Sequence, residues 1–215
     1  MRISILCSDA EHPVNTYLQV WVARNNFEHQ VELVRKKSEL SGGDILFLIS
    51  CGEIVSARDR KAYTSSLVLH ASDLPRGRGW SPHIWELLAG ADGIVMSLLE
   101  AEDKVDSGRI WSKRWVPIPK TALWHEINDL VFSAEMELMD FALTSFGNIS
   151  PQQQPVDIEP TYFRLRTWQD SQVDPNKSIV EQFDQIRVCD PNRFPAFFEL
   201  RGQRYALKLE KYDNE

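Results

Sequence analysis

The sequence predicts an α/β protein, and three observations carry that prediction. Runs that read as strands recur at residues 2–7, 31–34, 45–49, 67–69, 93–99 and 109–116, and the one at 45–49 is apolar without interruption. Segments of helical periodicity interleave with them, and one long amphipathic stretch, 121–145, closes the series. Uninterrupted apolar runs rather than strict alternation are what parallel strands show when helices cover both faces. A chain of 215 residues, 43% hydrophobic and 26% charged, is long enough to bury a real core in one domain of ordinary size.

Each element follows from local chemistry. Residues 2–7 (RISILC) form a β-rich start, and Pro13 opens a helix that sets Leu18, Trp21 and Val22 on one face. A second strand spans 31–34, the Ser41-Gly42-Gly43 break follows, and 45–49 is a strand apolar on both faces. Residues 67–69 make another buried strand that ends at His70, ahead of the glycine- and proline-rich loop 75–79. Ser81 at the cap and Pro82 in the first turn start a helix toward Gly90. Strands 93–99 and 109–116 form a hairpin-like pair joined by the acidic stretch 100–106. In the helix over 121–145, Leu123, Ile127, Leu130, Ala134, Leu138 and Phe141 share a face, and Gly147 is placed to stop it.

The polar, proline-punctuated stretch 150–160 marks the best boundary, which divides the chain into a core, 1–147, and a small extension, 148–215. In the extension Ser178 caps a short helix bearing Ile179, Phe183 and Ile186. Residues 196–200 and 204–209 pair around Arg201-Gly202-Gln203.

Composition narrows the partners. A net charge of -7 leaves no basic face for a nucleic-acid backbone, although a few arginines in one cleft can still hold a diphosphate. Cys7, Cys51 and Cys189 lack the paired spacing of a zinc or redox site, and no metal is expected. His125-Glu126 is followed four residues after the histidine by Asp129, where a zinc-protease helix needs a second histidine. No apolar run reaches the length of a membrane span or of a secretory signal, so a soluble cytoplasmic protein is expected.

Ligands of open α/β sheets bind beyond the carboxyl ends of the strands, which puts His70 and the 75–79 loop at the functional edge. The segment Leu67-Val68-Leu69-His70-Ala71-Ser72-Asp73-Leu74-Pro75-Arg76-Gly77-Arg78-Gly79 resembles the signature of folate-dependent formyltransferases, Asn-x-His-x-Ser-x-Leu-Pro followed by an Arg-Gly loop. Val68 stands where that family has asparagine. Asp106-Ser107-Gly108-Arg109-Ile110 is similar to the family's second signature, 36 residues beyond His70. The segment 166–174 is similar to the one that follows the catalytic core in sugar and methionyl-tRNA formyltransferases. The resemblance covers about residues 44–180.

The resemblance implies a Rossmann-like core and formyl transfer from 10-formyltetrahydrofolate to an amine, with His70 and Asp106 catalytic. It implies folate contacts at Cys51, Gly52 and Glu53, and at Glu102, Asp103 and Asp106 in the acidic loop. Arg76, Gly77, Arg78 and Trp80 would meet the acceptor. Valine at 68 lacks the amide donor that would meet the developing oxyanion, so another donor substitutes, or His70 takes both roles, or turnover is slow. The compact extension fits sugar N-formyltransferases best. The expected acceptor is a dTDP- or UDP-linked 4-amino-4,6-dideoxy sugar for surface glycans, and the expected assembly is a homodimer. Glycinamide ribonucleotide and methionyl-tRNA as acceptors stay open, as does a non-catalytic ligand-binding relative.

Overall fold

The computed structural model describes residues 1–212; the last three residues of the predicted extension lie outside the described ones. Its centre is a six-stranded sheet. Four strands lie parallel, β1 (Arg2–Leu6), β2 (Gln30–Val34), β3 (Gly43–Leu48) and β4 (Tyr63–His70), with helix α1 (Val14–Asn25) crossing from β1 to β2 and the single turn α2 (Ala57–Arg60) preceding β4. Beyond β4 come a two-residue strand β5 (Arg78–Gly79), helix α3 (Pro82–Leu88), and strands β6 (Gly93–Glu100) and β7 (Ile110–Pro117), then the long helix α4 (Trp124–Ser145). The sheet order is β2-β1-β3-β4-β6-β7, with β6 antiparallel to both neighbours. This is the expected α/β core.

Side-chain alternation builds the two layers. Ile3 and Ile5 of β1, Ile45 and Phe47 of β3, and Leu67 and Leu69 of β4 point into the main core beneath α1 and α4. Leu6 and Leu46 point to the other face, where Val55 and Tyr63 cover them. Trp21 meets Phe47 edge-on at 6.0 Å, and its indole Nε1 donates to Asp140 of α4 at 2.7 Å, so one residue locks both helices to the sheet. Burial of each such side chain contributes about 1.5–3 kcal/mol.

Three expectations need adjusting. Strand β4 starts at Tyr63, four residues before the apolar run, because Tyr-Thr-Ser-Ser pairs with β3 through main-chain hydrogen bonds that ask nothing of the side chains. Ser81 does precede α3, but it sits in the left-handed region (φ 46°) and its hydroxyl makes no cap bond. In α4 the buried stripe is centred on Val131, Leu138 and Met139, which leaves Leu130 at its margin.

The 150–160 segment packs back along the core. Gln152 exchanges main-chain hydrogen bonds with Ile110, and β8 (Tyr162–Phe163) pairs in parallel with β5. Helix α5 (Ile179–Arg187) begins at Ser178, whose hydroxyl accepts from the Glu181 N–H while the Glu181 carboxylate answers the Ser178 N–H. The hairpin β9 (Ala196–Leu200) and β10 (Gln203–Leu207) turns through Arg201 and Gly202, both at positive φ, the two-residue turn whose twist matches the strands. The fully buried Arg187 donates to the Ala122 carbonyl at 3.0 Å and pairs with Asp184 at 2.6 Å, tying this unit to the loop before α4.

Candidate active site

His70 ends β4 at the carboxyl edge of the sheet and is buried. Its Nε2 lies 2.9 Å from the Gly77 carbonyl, which only accepts, so Nε2 carries a proton and Nδ1 is the ring nitrogen left for chemistry. That Nδ1 faces the Asp106 carboxylate, with Oδ1 at 3.6 Å and both side chains less than a tenth exposed. The other carboxylate oxygen of Asp106 accepts the Gly79 N–H at 2.9 Å. The two residues that the family resemblance singled out are therefore neighbours, joined through the 77–79 turn.

Close packing shapes this turn. Gly77 and Gly79 adopt φ of 71° and 98°, and a Cβ on Gly79 would stand 2.4 Å from the Phe163 carbonyl oxygen. Ser72 donates to the Arg76 carbonyl at 2.9 Å and so closes the loop on itself, while Gly77 N–H donates to the Thr161 hydroxyl at 2.8 Å. Asp106 is itself left-handed (φ 53°), a conformation that aspartate tolerates better than most residues. A Cβ on Gly108 would fall 1.9 Å from the Glu100 carbonyl oxygen, which is why the second signature needs glycine there.

The two loop arginines part company. Arg76 is exposed. Arg78 is buried, with its guanidinium donating to Gln154 Oε1 at 2.6 Å and to the Tyr162 hydroxyl at 3.2 Å. Trp80 is half exposed beside them. Gln154, which sequence reasoning missed, is the hub: its amide donates to the carbonyls of Asp106 at 2.8 Å and Gly108 at 2.9 Å while accepting from Arg78. One glutamine in a run of three between prolines carried no signal, since only the return of the connector across the site distinguishes it from its neighbours.

At the β3 exit Cys51 is half-buried, Gly52 N–H donates to the Ser8 hydroxyl at 2.8 Å, and Glu53 accepts from the Lys37 N–H at 3.0 Å. Burial pushes the Cys51 thiol up from its ordinary pKa. In the acidic loop Asp103 accepts from Arg60 at 2.7 Å, and Glu102 and Asp103 line a polar cavity of about 320 Å³ with Ser107, Arg109 and Gln153. Val68 lies with Leu74, Leu99 and Ile110 in a small apolar cluster. Among the described residues no group of histidine, cysteine and carboxylate side chains forms a metal site, and no helix is long and apolar enough to cross a membrane.

No protein-family model matches the chain. A methionyl-tRNA formyltransferase of Ruegeria pomeroyi is 27% identical over 174 residues, 80% of this chain and 57% of that protein, so the chain spans less than two thirds of this relative. Among solved structures the methionyl-tRNA formyltransferase of Clostridium thermocellum superimposes with a TM-score of 0.80 at 22% identity, covering 95% of this chain and 90% of its own. A sugar N-formyltransferase of Shewanella gives 0.73 at 15%, covering 100% and 99%. HypX of Aquifex aeolicus in complex with tetrahydrofolic acid gives 0.76 at 20%, covering 95% of this chain and 36% of HypX. The chain shares the fold of these proteins.

Proposed function

We propose that this chain is a folate-dependent N-formyltransferase, and the observation that carries the reading is the His70 Nδ1 to Asp106 contact at the carboxyl edge of a formyltransferase-like sheet. The donor, 10-formyltetrahydrofolate, supplies an activated formyl carbon. The Gly77 carbonyl holds the neutral His70 in the tautomer whose Nδ1 accepts a proton. As the acceptor nitrogen bonds to the formyl carbon, its proton passes to Nδ1, where the Asp106 carboxylate stabilises the imidazolium. The bond from the formyl carbon to the folate nitrogen then breaks, and that nitrogen takes the proton back.

His70 also bears on the missing asparagine. Val68 offers no donor, and the neutral His70 spends its own N–H on Gly77. Once protonated, His70 presents an Nδ1–H beside the reacting carbon, so it serves first as base and then as hydrogen-bond donor to the oxyanion. The β3 exit at Cys51, Gly52 and Glu53, with Glu102 and Asp103, forms the folate side of the site in this reading. Arg76, Gly77 and Trp80 border the acceptor, and Arg78 holds the loop.

For the acceptor we favour a dTDP- or UDP-linked amino sugar. The net charge of -7, which gives no electrostatic footprint for a tRNA backbone, supports it. The methionyl-tRNA reading is favoured by the named curated relative, whose remaining length this chain does not cover. The working assembly is a cytoplasmic homodimer with a catalytic core over 1–147 and an extension over 148–215. Incubation with 10-formyltetrahydrofolate and a panel of dTDP- and UDP-linked amino sugars, beside charged initiator tRNA, tests the proposal by mass spectrometry. One added formyl group on a nucleotide sugar supports it; formylation of the tRNA alone replaces the acceptor, and no transfer to any amine removes the activity.

A further inference from the structure

A second set of polar groups borders His70 and is not used in the chemistry above. Strand β8 pairs with Gly79, and the Trp80 N–H donates to the Phe163 carbonyl at 3.2 Å, so the chain leaving β8 runs past the start of α3. There the Trp85 indole donates to the Arg164 carbonyl at 3.2 Å, the Arg164 guanidinium stacks 4.8 Å from the Trp85 ring, and Phe163 stacks on Trp85 at 6.2 Å. These contacts pin the backbone just before Arg166. Arg164 is itself committed to Asp170 at 2.5 Å. Arg166 is not: its Nε and one Nη are shielded from solvent and have no hydrogen-bond partner.

The nearby His83, in the first turn of α3, repeats the pattern with a shielded, unpartnered Nδ1. Burial, more than the neighbouring His12, His70 and Arg166, holds the His83 pKa down at about 4. His12, at the mouth of α1, is likewise held at about 4 by burial and by Arg193. Beside α3, near the catalytic edge, Arg166 and His83 thus both carry polar atoms that are shielded from solvent and have no hydrogen-bond partner.

Unsatisfied buried donors are costly, and an unpaired guanidinium especially so, unless a ligand completes them. The arginine Nε and a terminal Nη can present two parallel N–H groups to a pair of oxygens, the fork that matches an oxyanion. Resting on the formyltransferase reading, we propose that Arg166, with His83 beside it, binds a phosphate of the amine acceptor, a nucleoside-diphosphate-linked compound, and so sets how its amine reaches His70. Arg166 does for the acceptor what the turn at Gly77 does for His70: it fixes position without taking part in proton transfer.

The test measures binding without turnover. Titration calorimetry with UDP and dTDP as probes, on the full chain, should give an affinity that Arg166→Ala lowers roughly 10- to 100-fold, the usual worth of a charged hydrogen-bonded contact. Arg166→Lys keeps the charge but loses the fork and should recover only a minor part. His83→Ala should weaken the same probes a few-fold, about one neutral hydrogen bond. Tetrahydrofolate affinity should stay within about twofold in all three. The ligand-free melting temperature of Arg166→Ala should not fall, because the guanidinium has no partner to lose. Nucleoside diphosphate binding that is absent from the wild type, or unchanged in Arg166→Ala, overturns the subsite, as does an equal loss of tetrahydrofolate, which would make the anion a carboxylate of the donor. Arg166-dependent diphosphate binding in a protein that transfers no formyl group would keep the subsite and remove the activity. Undiminished formyl transfer to a nucleotide sugar by Arg166→Ala, at subsaturating acceptor, would do the reverse.

Discussion

The interior of the sheet and its carboxyl rim are built on opposite principles. Between α1, α4 and the strands, Ile3, Ile5, Ile45, Phe47 and Leu67 are all but inaccessible. At the rim the buried residues include His70, Ser72, Arg78 and Gln154, and Ser50, Ser81 and Asp106 all take positive φ without being glycine. The interior holds by summed apolar area, in which one contact substitutes for another. The rim holds by hydrogen bonds between particular partners that no neighbour can replace, so a small change there redirects a side chain while costing the fold little. Stability and proposed chemistry thus occupy adjacent but separable parts of one sheet.

The sharpest way to break that separation is a pair of substitutions on neighbouring strands. His70→Asn should lower kcat about 10²- to 10⁴-fold, the typical worth of a positioned base, with a melting temperature close to wild type. Phe47→Ala should cost about 3–5 kcal/mol of stability and leave kcat per folded molecule nearly intact. Denaturant unfolding and active-site-normalised kinetics read both; a His70→Asn protein that melts far earlier would show that the rim supports the fold after all.

Asp106→Ala should reduce kcat more than it raises KM. Combined with His70→Asn it should add little, because the two act as one unit across 3.6 Å. Rate losses that multiply in the double variant would mean that the contact is not a functional pair.

A smaller effect belongs to the interior, where Glu135 of α4 is buried with one carboxylate oxygen unpartnered. Burial raises its pKa from 4.5 to about 8. The unfolded chain ionises this group above pH 4.5 while the folded chain keeps the proton, so its contribution to stability is full below pH 4.5 and declines as pH rises toward about 8. Glu135→Gln should flatten this slope and stabilise the protein by on the order of 2 kcal/mol at pH 8, with little gain near pH 4.5, as followed by urea unfolding at several pH values. An identical pH slope in the variant would remove Glu135 as its source.

The smallest expected change sits on the border between the two regions. Val68 is packed with Leu74, Leu99 and Ile110 but precedes His70 by two residues on the same face of β4. Val68→Asn should raise kcat several-fold by restoring an oxyanion donor, while costing about 1–2 kcal/mol for an amide placed in apolar surroundings. A loss of both rate and stability would indicate that the cluster has closed over the space a donor needs.

The strands, the long helix, the Ser178 cap and the hairpin at Arg201-Gly202 were legible because each depends on residues close in sequence: an apolar period, a hydroxyl three residues before a carboxylate, a glycine in a two-residue turn. His70 and Asp106 were legible through their signatures, and the chain brings them together across 36 residues. Gln154 gave no warning, since a hydrogen bond from position 154 to the carbonyls of 106 and 108 exists only after the connector folds back. The inward turn of Arg78, the left-handed Ser81 and the unpartnered edge of Arg166 were hidden for the same reason. Sequence by itself determined where most strands and helices form and placed His70 at the carboxyl end of a strand, because local periodicity and backbone sterics act within a few residues. Only tertiary structure decided which polar groups are satisfied and which have no partner, because that depends on groups brought from far along the chain.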